Sequence, residues 1–330
     1  MPQDDAAAPA VISTGSLPVP ERVASAMDEA HARFRGVADG RVADYIPALA
    51  RVPGTLYGLC VAGVAGQLYD RGDSVHGFSI QSISKAFVFA LVCDALGPAE
   101  AEARIGVNAT GLPFNSVMAV ELNAGRTMNP MVNAGAIATT SLVPGDSPGA
   151  KWQCVQQGLS RFAGRDLALD AEVYESEAAT NQRNQGIAHL LRGYQRIYCD
   201  PDVAVDVYTR QCALTITCRD LAVMGATLAN GGVNPVTRQR VVGAECCWRV
   251  LAVMATAGMY EQSGAWLYDI GLPGKSGVSG GIVTVGPGKG GLATFSPPLD
   301  AAGNSVRGTL ATRFLSQRLG LNLFASQPHA

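Results

Sequence analysis

The sequence predicts an α+β protein in which an antiparallel sheet is built from both ends of the chain, with a helical region between them. Three observations carry this. β-rich runs broken by glycine turns fall within about 51–80, helical spacing dominates about 82–260, and short strand-like runs return within about 265–325. Strands at the two ends flanking a block of helices point to remote strands sharing one sheet.

The elements follow in order. Residues 1–20, rich in Ala, Pro and Ser, are expected to form a flexible tail, and 21–328 a single domain, since no repeat or linker interrupts them. "PERVASAMDEAHARFR" has helical spacing, with Val23, Met27, His31 and Phe34 roughly on one stripe. "GTLYGLCVAGVAGQLYDRGD" reads as a hairpin turning around Gly63–Gly66 and closed by Arg-Gly-Asp. The helical middle is punctuated at Gly97-Pro98, Pro144-Gly145 and Gly231-Gly232. From Trp266 the period changes, and "GLPGKSGVSGGIVTVGPGKGGLATFSPPL" holds at least three short strands. "SVRGTLATRFLSQRLGLNLF" then reads as a closing helix.

Composition narrows the function. With 48% hydrophobic and 16% charged residues, the chain can bury a large core, and a formal charge of −2 without a basic block argues against nucleic acid or anionic membrane as partner. No apolar run approaches the ~18 residues of a membrane span. The cysteines, Cys60, Cys93, Cys154, Cys199, Cys212, Cys218, Cys246 and Cys247, lie mostly in apolar segments without a C-x-x-C pair. The N-terminus is acidic where a signal peptide is basic, so a reduced, cytoplasmic protein is expected. His31, His76, His189 and His329 show no metal-ligand spacing, and no metal is expected.

The chemistry gathers in "QSISKAFVFALVC", Gln81–Cys93. Lysine is scarce, with only Lys85, Lys151, Lys275 and Lys289, yet one stands in the first turn of an apolar helix. Ser82 and Lys85, three apart, share a helical face. A serine hydroxyl becomes a nucleophile when a neighbour takes its proton, and a buried lysine serves if burial leaves its amine partly neutral. Free N–H groups at the helix start, Ser82's included, suit a developing oxyanion. A capping serine beside a snorkelling lysine would explain the pair equally simply. Ser84 competes as nucleophile but faces away from Lys85.

Lys275 tips the balance. "GKSG" heads a strand-like run, and S-x-x-K followed by K-[ST]-G is the box order of serine β-lactamases and penicillin-binding proteins. In that arrangement an edge strand flanks the serine and lends a backbone N–H to the oxyanion hole. Two nucleotide readings fail their context: "GLPGKS" lacks the P-loop spacing, and "GPGKGG" is followed by strand, so it is a hairpin turn.

The longer stretches "DYIPALA", "QSISKAF", "MNPMVNAGAI", "SEAATNQRN", "LTITCRDLAVMGATLANGG", "GMYEQSG", "GLPGKSGVSGGI" and "SPPLDAAGNSVRG" resemble the serine-dependent glutaminases. The resemblance runs from about Tyr45 to Arg307. It implies a β-lactamase/transpeptidase-like fold, hydrolysis of L-glutamine to L-glutamate and ammonia, no metal or organic cofactor, and a homo-dimer or homo-tetramer. It further implies Ser82 as nucleophile, Lys85 as its partner, and Tyr260 as proton relay. Tyr45, Gln81, Asn133, Glu177, Asn184, Tyr208, Tyr260 and Val278 stand at positions resembling substrate contacts. Glu177 would take the α-ammonium, the asparagines the carboxylate and amide, and Val278 would offer only its N–H, so its apolar side chain is no obstacle. Taken singly, Asn133 could be a buried structural amide. Glu177 and Asn184, seven apart and so two turns along one helical face, could be solvated, and the tyrosines could be core residues with wet hydroxyls. Two other functions compete: a penicillin-binding or β-lactamase-like enzyme, disfavoured by the missing Ser-Asp-Asn box, and a non-catalytic amino-acid binder, disfavoured by the intact serine, lysine and tyrosine.

Overall fold

The structure, a computed structural model, describes residues 15–122 and 127–326. Of the expected tail, residues 1–14 lie outside the described residues, and the first helix begins at Pro20.

The two chain ends do share one antiparallel sheet. Strands β1 (Gly58–Gly63) and β2 (Leu68–Gly72) form the early hairpin. Two residue pairs, β3 (Phe78–Ser79) and β4 (Thr215–Ile216), form a separate two-stranded sheet. Strands β5 (Gly274–Ser276), β6 (Gly281–Gly286) and β7 (Gly290–Phe295) complete the main sheet in the order β2-β1-β7-β6-β5. The N-terminal hairpin joins the C-terminal strands through β1 and β7, with Gly58 opposite Phe295. "GPGKGG" is a turn, Gly286 pairing Gly290 across it.

Side chains alternate between two apolar layers, as the period of a strand requires. Leu59, Val61, Ile282 and Leu292 face one cluster, with Val23, Met27 and Leu315 from the helices Pro20–Phe34 and Val306–Arg318. Cys60, Ala62, Val283, Val285 and Ala293 face the other, with Leu221 and Met224 from the helix Cys218–Ala229. Both faces are covered, so β1, β6 and β7 are buried throughout and show no polar alternation. The central helix lies close on the sheet because Gly291 has no side chain: a Cβ there would stand 2.3 Å from the Ala222 carbonyl oxygen.

Sequence and structure differ at some edges. Trp266 belongs to the helix Ser263–Ile270, so the late strands begin only at Gly274, and the short β4 interrupts the helical middle. The breaks at Gly97-Pro98, Pro144-Gly145 and Gly231-Gly232 each separate two helices.

Candidate active site

The apolar helix Ser84–Leu96 is buried from Ser84 to Cys93, and a 3₁₀ turn, Gln81–Ile83, leads into it. Gln81 holds a left-handed φ of 50°, a conformation that costs a non-glycine residue about 1–3 kcal/mol and gathers at functional sites. The turn is pinned from below. Ser84 Oγ donates to the Gln81 carbonyl at 2.7 Å and accepts from Gln211 Nε2 at 3.2 Å. Ser84 therefore serves structure, leaving Ser82, only 9% exposed, at the floor of a pocket.

The edge strand β5 packs against this turn. Gly277 allows the approach, since a Cβ there would meet the Ile80 oxygen at 3.0 Å. Beyond it, Gly277 N–H donates to Gly281 O and Gly280 N–H to Gly277 O, a tight turn carrying Val278. Among the described residues, neither the Ser82 nor the Val278 backbone N–H meets an acceptor, and both residues line the same pocket.

Lys85 is 1% exposed. Its ammonium donates to Asn133 Oδ1 at 2.7 Å and to the Met131 carbonyl at 3.2 Å. Burial pushes it down from the ordinary lysine value to about 7, against the attraction of Cys212 and Glu177. The i, i+3 spacing suggests direct contact with Ser82; in the structure two of the ammonium's three donors go to Asn133 and Met131. The Ser82 hydroxyl draws the Tyr260 phenol down against the rise that burial gives it, which marks the two side chains as neighbours. Tyr260 is itself left-handed, φ 56°, and its carbonyl is held by Ser263 Oγ at 2.8 Å. Burial pushes its phenol well up, so the hydroxyl keeps its proton. Lys275 Nζ sits 4.0 Å from the Tyr260 ring centroid and donates to Ser276 O at 2.8 Å; burial, reinforced by Lys85, holds it well below the lysine range.

A polar chain continues into the pocket. Asn133 Nδ2 donates to Asn184 Oδ1 at 2.9 Å, and the Tyr208 hydroxyl donates to Asn133 Oδ1 at 3.4 Å. Gln81 Nε2 donates to Ser79 Oγ at 3.2 Å and to Glu177 Oε2 at 3.5 Å. Burial raises the Glu177 carboxyl to about 7, countered by Gln81 and Lys85. Tyr45 stands at the rim, 55% exposed.

One pocket of about 240 Å³ thus joins Tyr45, Gln81, Ser82, Asn133, Glu177, Asn184, Tyr208 and Val278, with Lys85 bonded to Asn133 and Tyr260 packed on the lining Phe114. The volume falls just below the ~300–1,000 Å³ of pockets for drug-sized ligands, a fit for something smaller. Glu177 and Asn184 do not share a helix, contrary to their seven-residue spacing. Glu177 ends Ala171–Ala178, the chain turns at Ala179–Asn181, and Asn184 opens Gln182–Gly193. Both helices nevertheless aim at the pocket.

Several lining residues escaped sequence reasoning. Phe114 packs on Tyr260 with centroids 5.0 Å apart, and its carbonyl accepts from Asn133 N–H at 2.8 Å. It lies in an aperiodic loop that carries no signal. Cys212 sits one turn after Tyr208 on the helix Pro201–Cys212, a spacing that could have found it. Thr180 and Arg183 also line the pocket.

Known proteins agree with this architecture. The family model named Glutaminase matches residues 40–324. "Glutaminase 2" of Yersinia pestis is 56% identical, covering 100% of this chain and 97% of its own length. A glutaminase of Colwellia psychrerythraea is 49% identical over 92% of this chain and 97% of its own. Among solved structures, a probable glutaminase, ybaS, superposes with a TM-score of 0.92 at 46% identity, covering 94% of this chain and 100% of that one. A Bacillus glutaminase gives 0.82 at 31%, covering 92% and 99%. The fold is the α+β, β-lactamase-like one. The chain belongs to the glutaminase family, and it is an enzyme, a glutaminase.

Proposed function

We propose that this enzyme hydrolyses L-glutamine to L-glutamate and ammonia through a γ-glutamyl ester on Ser82. The observation that carries the reading is Lys85: an amine 1% exposed, brought by burial to about 7, beside a pocket that presents a serine on a strained turn. At neutral pH a share of that amine is uncharged and able to act as base.

The Glu177 carboxylate receives the substrate's α-ammonium, and Asn133, Asn184 and Tyr208 receive its carboxylate and amide. Docking of the ammonium holds Glu177 ionised. Tyr45 and Gln81 bound the pocket at its rim and floor. Ser82 Oγ attacks the side-chain carbonyl while its proton passes through the Tyr260 hydroxyl toward Lys85. The free N–H groups of Ser82 and Val278 hold the oxyanion. The C–N bond breaks as the same relay returns a proton to the nitrogen, because an amide nitrogen leaves poorly unless protonated. Water then attacks the ester by the reverse route and releases glutamate. A 39%-identical protein, Mglu, has been solved in its glutamate form, which supports glutamate as the product here. The family resemblance further supports one catalytic unit over 21–328, a cytoplasmic enzyme without metal or organic cofactor, and a homo-dimer or homo-tetramer.

The test is ammonia release from glutamine without added metal. Ser82→Ala is expected to abolish it while circular dichroism stays unchanged; undiminished turnover in that variant would remove the proposal.

A further inference from the structure

A second groove of about 580 Å³ opens beside the pocket. It shares three residues with it, Tyr45, Phe114 and Val278, and none of the groups assigned to the substrate's α-ammonium and α-carboxylate. Two of the shared residues belong to the reacting end: Val278 presents the oxyanion N–H, and Phe114 packs on Tyr260. The groove therefore begins where the amide nitrogen leaves and extends away from the amino-acid head. Its walls are built rather than loose. The segments carrying Arg41 and Leu299 are bridged by Arg41 N–H to Leu299 O at 2.9 Å and the reverse bond at 2.8 Å. Gly40 permits that contact, as a Cβ there would stand 2.7 Å from the Leu299 oxygen.

Glutamine, whose amide carries only hydrogens on nitrogen, leaves this space empty. We infer that the groove is a leaving-group subsite, and that the enzyme cleaves γ-glutamyl amides whose nitrogen belongs to a second amino acid. This rests on the reading that Ser82 is acylated at the γ-carbonyl. The step balances as for glutamine: the Ser82 O–C bond forms, the C–N bond breaks, and the relayed serine proton leaves on the amino-acid amine. Water then yields glutamate. Exposed Arg41 supplies the cation for the departing amino acid's carboxylate. Asp44 and Asp300 also line the groove and disfavour a second acidic group there. Asp300 is further committed, accepting from Ala302 and Asn304 N–H at 2.9 Å each.

The probe is γ-glutamylglycine, with glycine release followed by chromatography beside ammonia release from glutamine. Cleavage is expected, and Arg41→Ala is expected to lower kcat/KM for γ-glutamylglycine about fivefold, the scale of an exposed ion pair, with glutamine turnover unchanged. Glutamine turnover with γ-glutamylglycine neither cleaved nor competing would overturn the subsite and leave the glutamine reading intact. Cleavage insensitive to Arg41→Ala would overturn the groove assignment. Failure on both substrates would instead overturn the acyl-enzyme reading itself.

Discussion

Lys85, fully buried, and Glu177, half-buried, are groups of opposite charge, both brought to about 7 by desolvation. Each must be deprotonated for catalysis as proposed, so kcat/KM is expected to fall as pH drops through about 7. A profile flat down to pH 5 would contradict this. Glu177→Gln removes the ammonium's partner and is expected to raise KM about 10–100-fold, the range for a charged hydrogen bond, with a smaller change in kcat. For stability the lysine sign is specific. The unfolded chain keeps the Lys85 proton up to the ordinary value of 10.5, whereas the folded chain gives it up near 7. Stability therefore rises with pH between those values, and below about 7 the whole burial penalty, roughly 3–5 kcal/mol, is present. Replacing the amine by Lys85→Met should lower kcat by about 10²–10⁴. Relative to the parent, that variant should be about 2–3 kcal/mol more favoured at pH 6 than at pH 9. Urea unfolding at the two pH values measures this, and an equal difference at both would show that the amine is not buried as a base.

At the scale of elements, close approach of backbones sets the site. The helix Cys218–Ala229 starts with a capping box of Thr217 and Asp220, and Arg165 is bonded to the same aspartate. Its seat on the sheet depends on Gly291, where an added Cβ would meet Ala222 O at 2.3 Å and Ala226 N at 2.5 Å. These are backbone atoms that cannot rotate aside, so Gly291→Ala is expected to cost about 3 kcal/mol or more, the upper end for overpacking. A urea midpoint within error of the parent would show that the helix stands off the sheet. This scale also marks what the sequence discloses. The hairpin at Gly63–Gly66, the helix breaks at glycine and proline pairs and the Lys-Ser-Gly strand are written in turn chemistry and period. The break between Glu177 and Asn184 is not, since Ala179-Thr180-Asn181 holds neither glycine nor proline. Nor are β3 and β4, each too short to show a period.

Across the whole molecule, the site exists because distant segments are fastened together. Arg307, 3% exposed, donates to the carbonyls of Arg35, Gly54 and Thr55 and to Ser296 Oγ, tying the last helix to the first helix's end and to the chain before β1. Removing it takes the donor from the buried Ser296 hydroxyl and from three part-buried carbonyls at once, so Arg307→Ala is expected to destabilise by about 2–4 kcal/mol. That loss should appear as a lower midpoint of one shared transition by fluorescence and circular dichroism; an unchanged midpoint would deny Arg307 this role. The box order Ser-x-x-Lys then Lys-Ser-Gly reveals that residues near 82 and 275 meet. It leaves hidden the left-handed φ of Gln81 and Tyr260, which only the surrounding packing imposes, and Phe114, placed by a loop. The central claim is that Ser82 carries the γ-glutamyl group between amide cleavage and hydrolysis. Rapid acid quench of the enzyme turning over glutamine, followed by peptide mass analysis, tests it most directly. A γ-glutamyl adduct on the peptide bearing Ser82, absent in Ser82→Ala, is predicted; full turnover with no adduct, or an adduct on another residue, would contradict it.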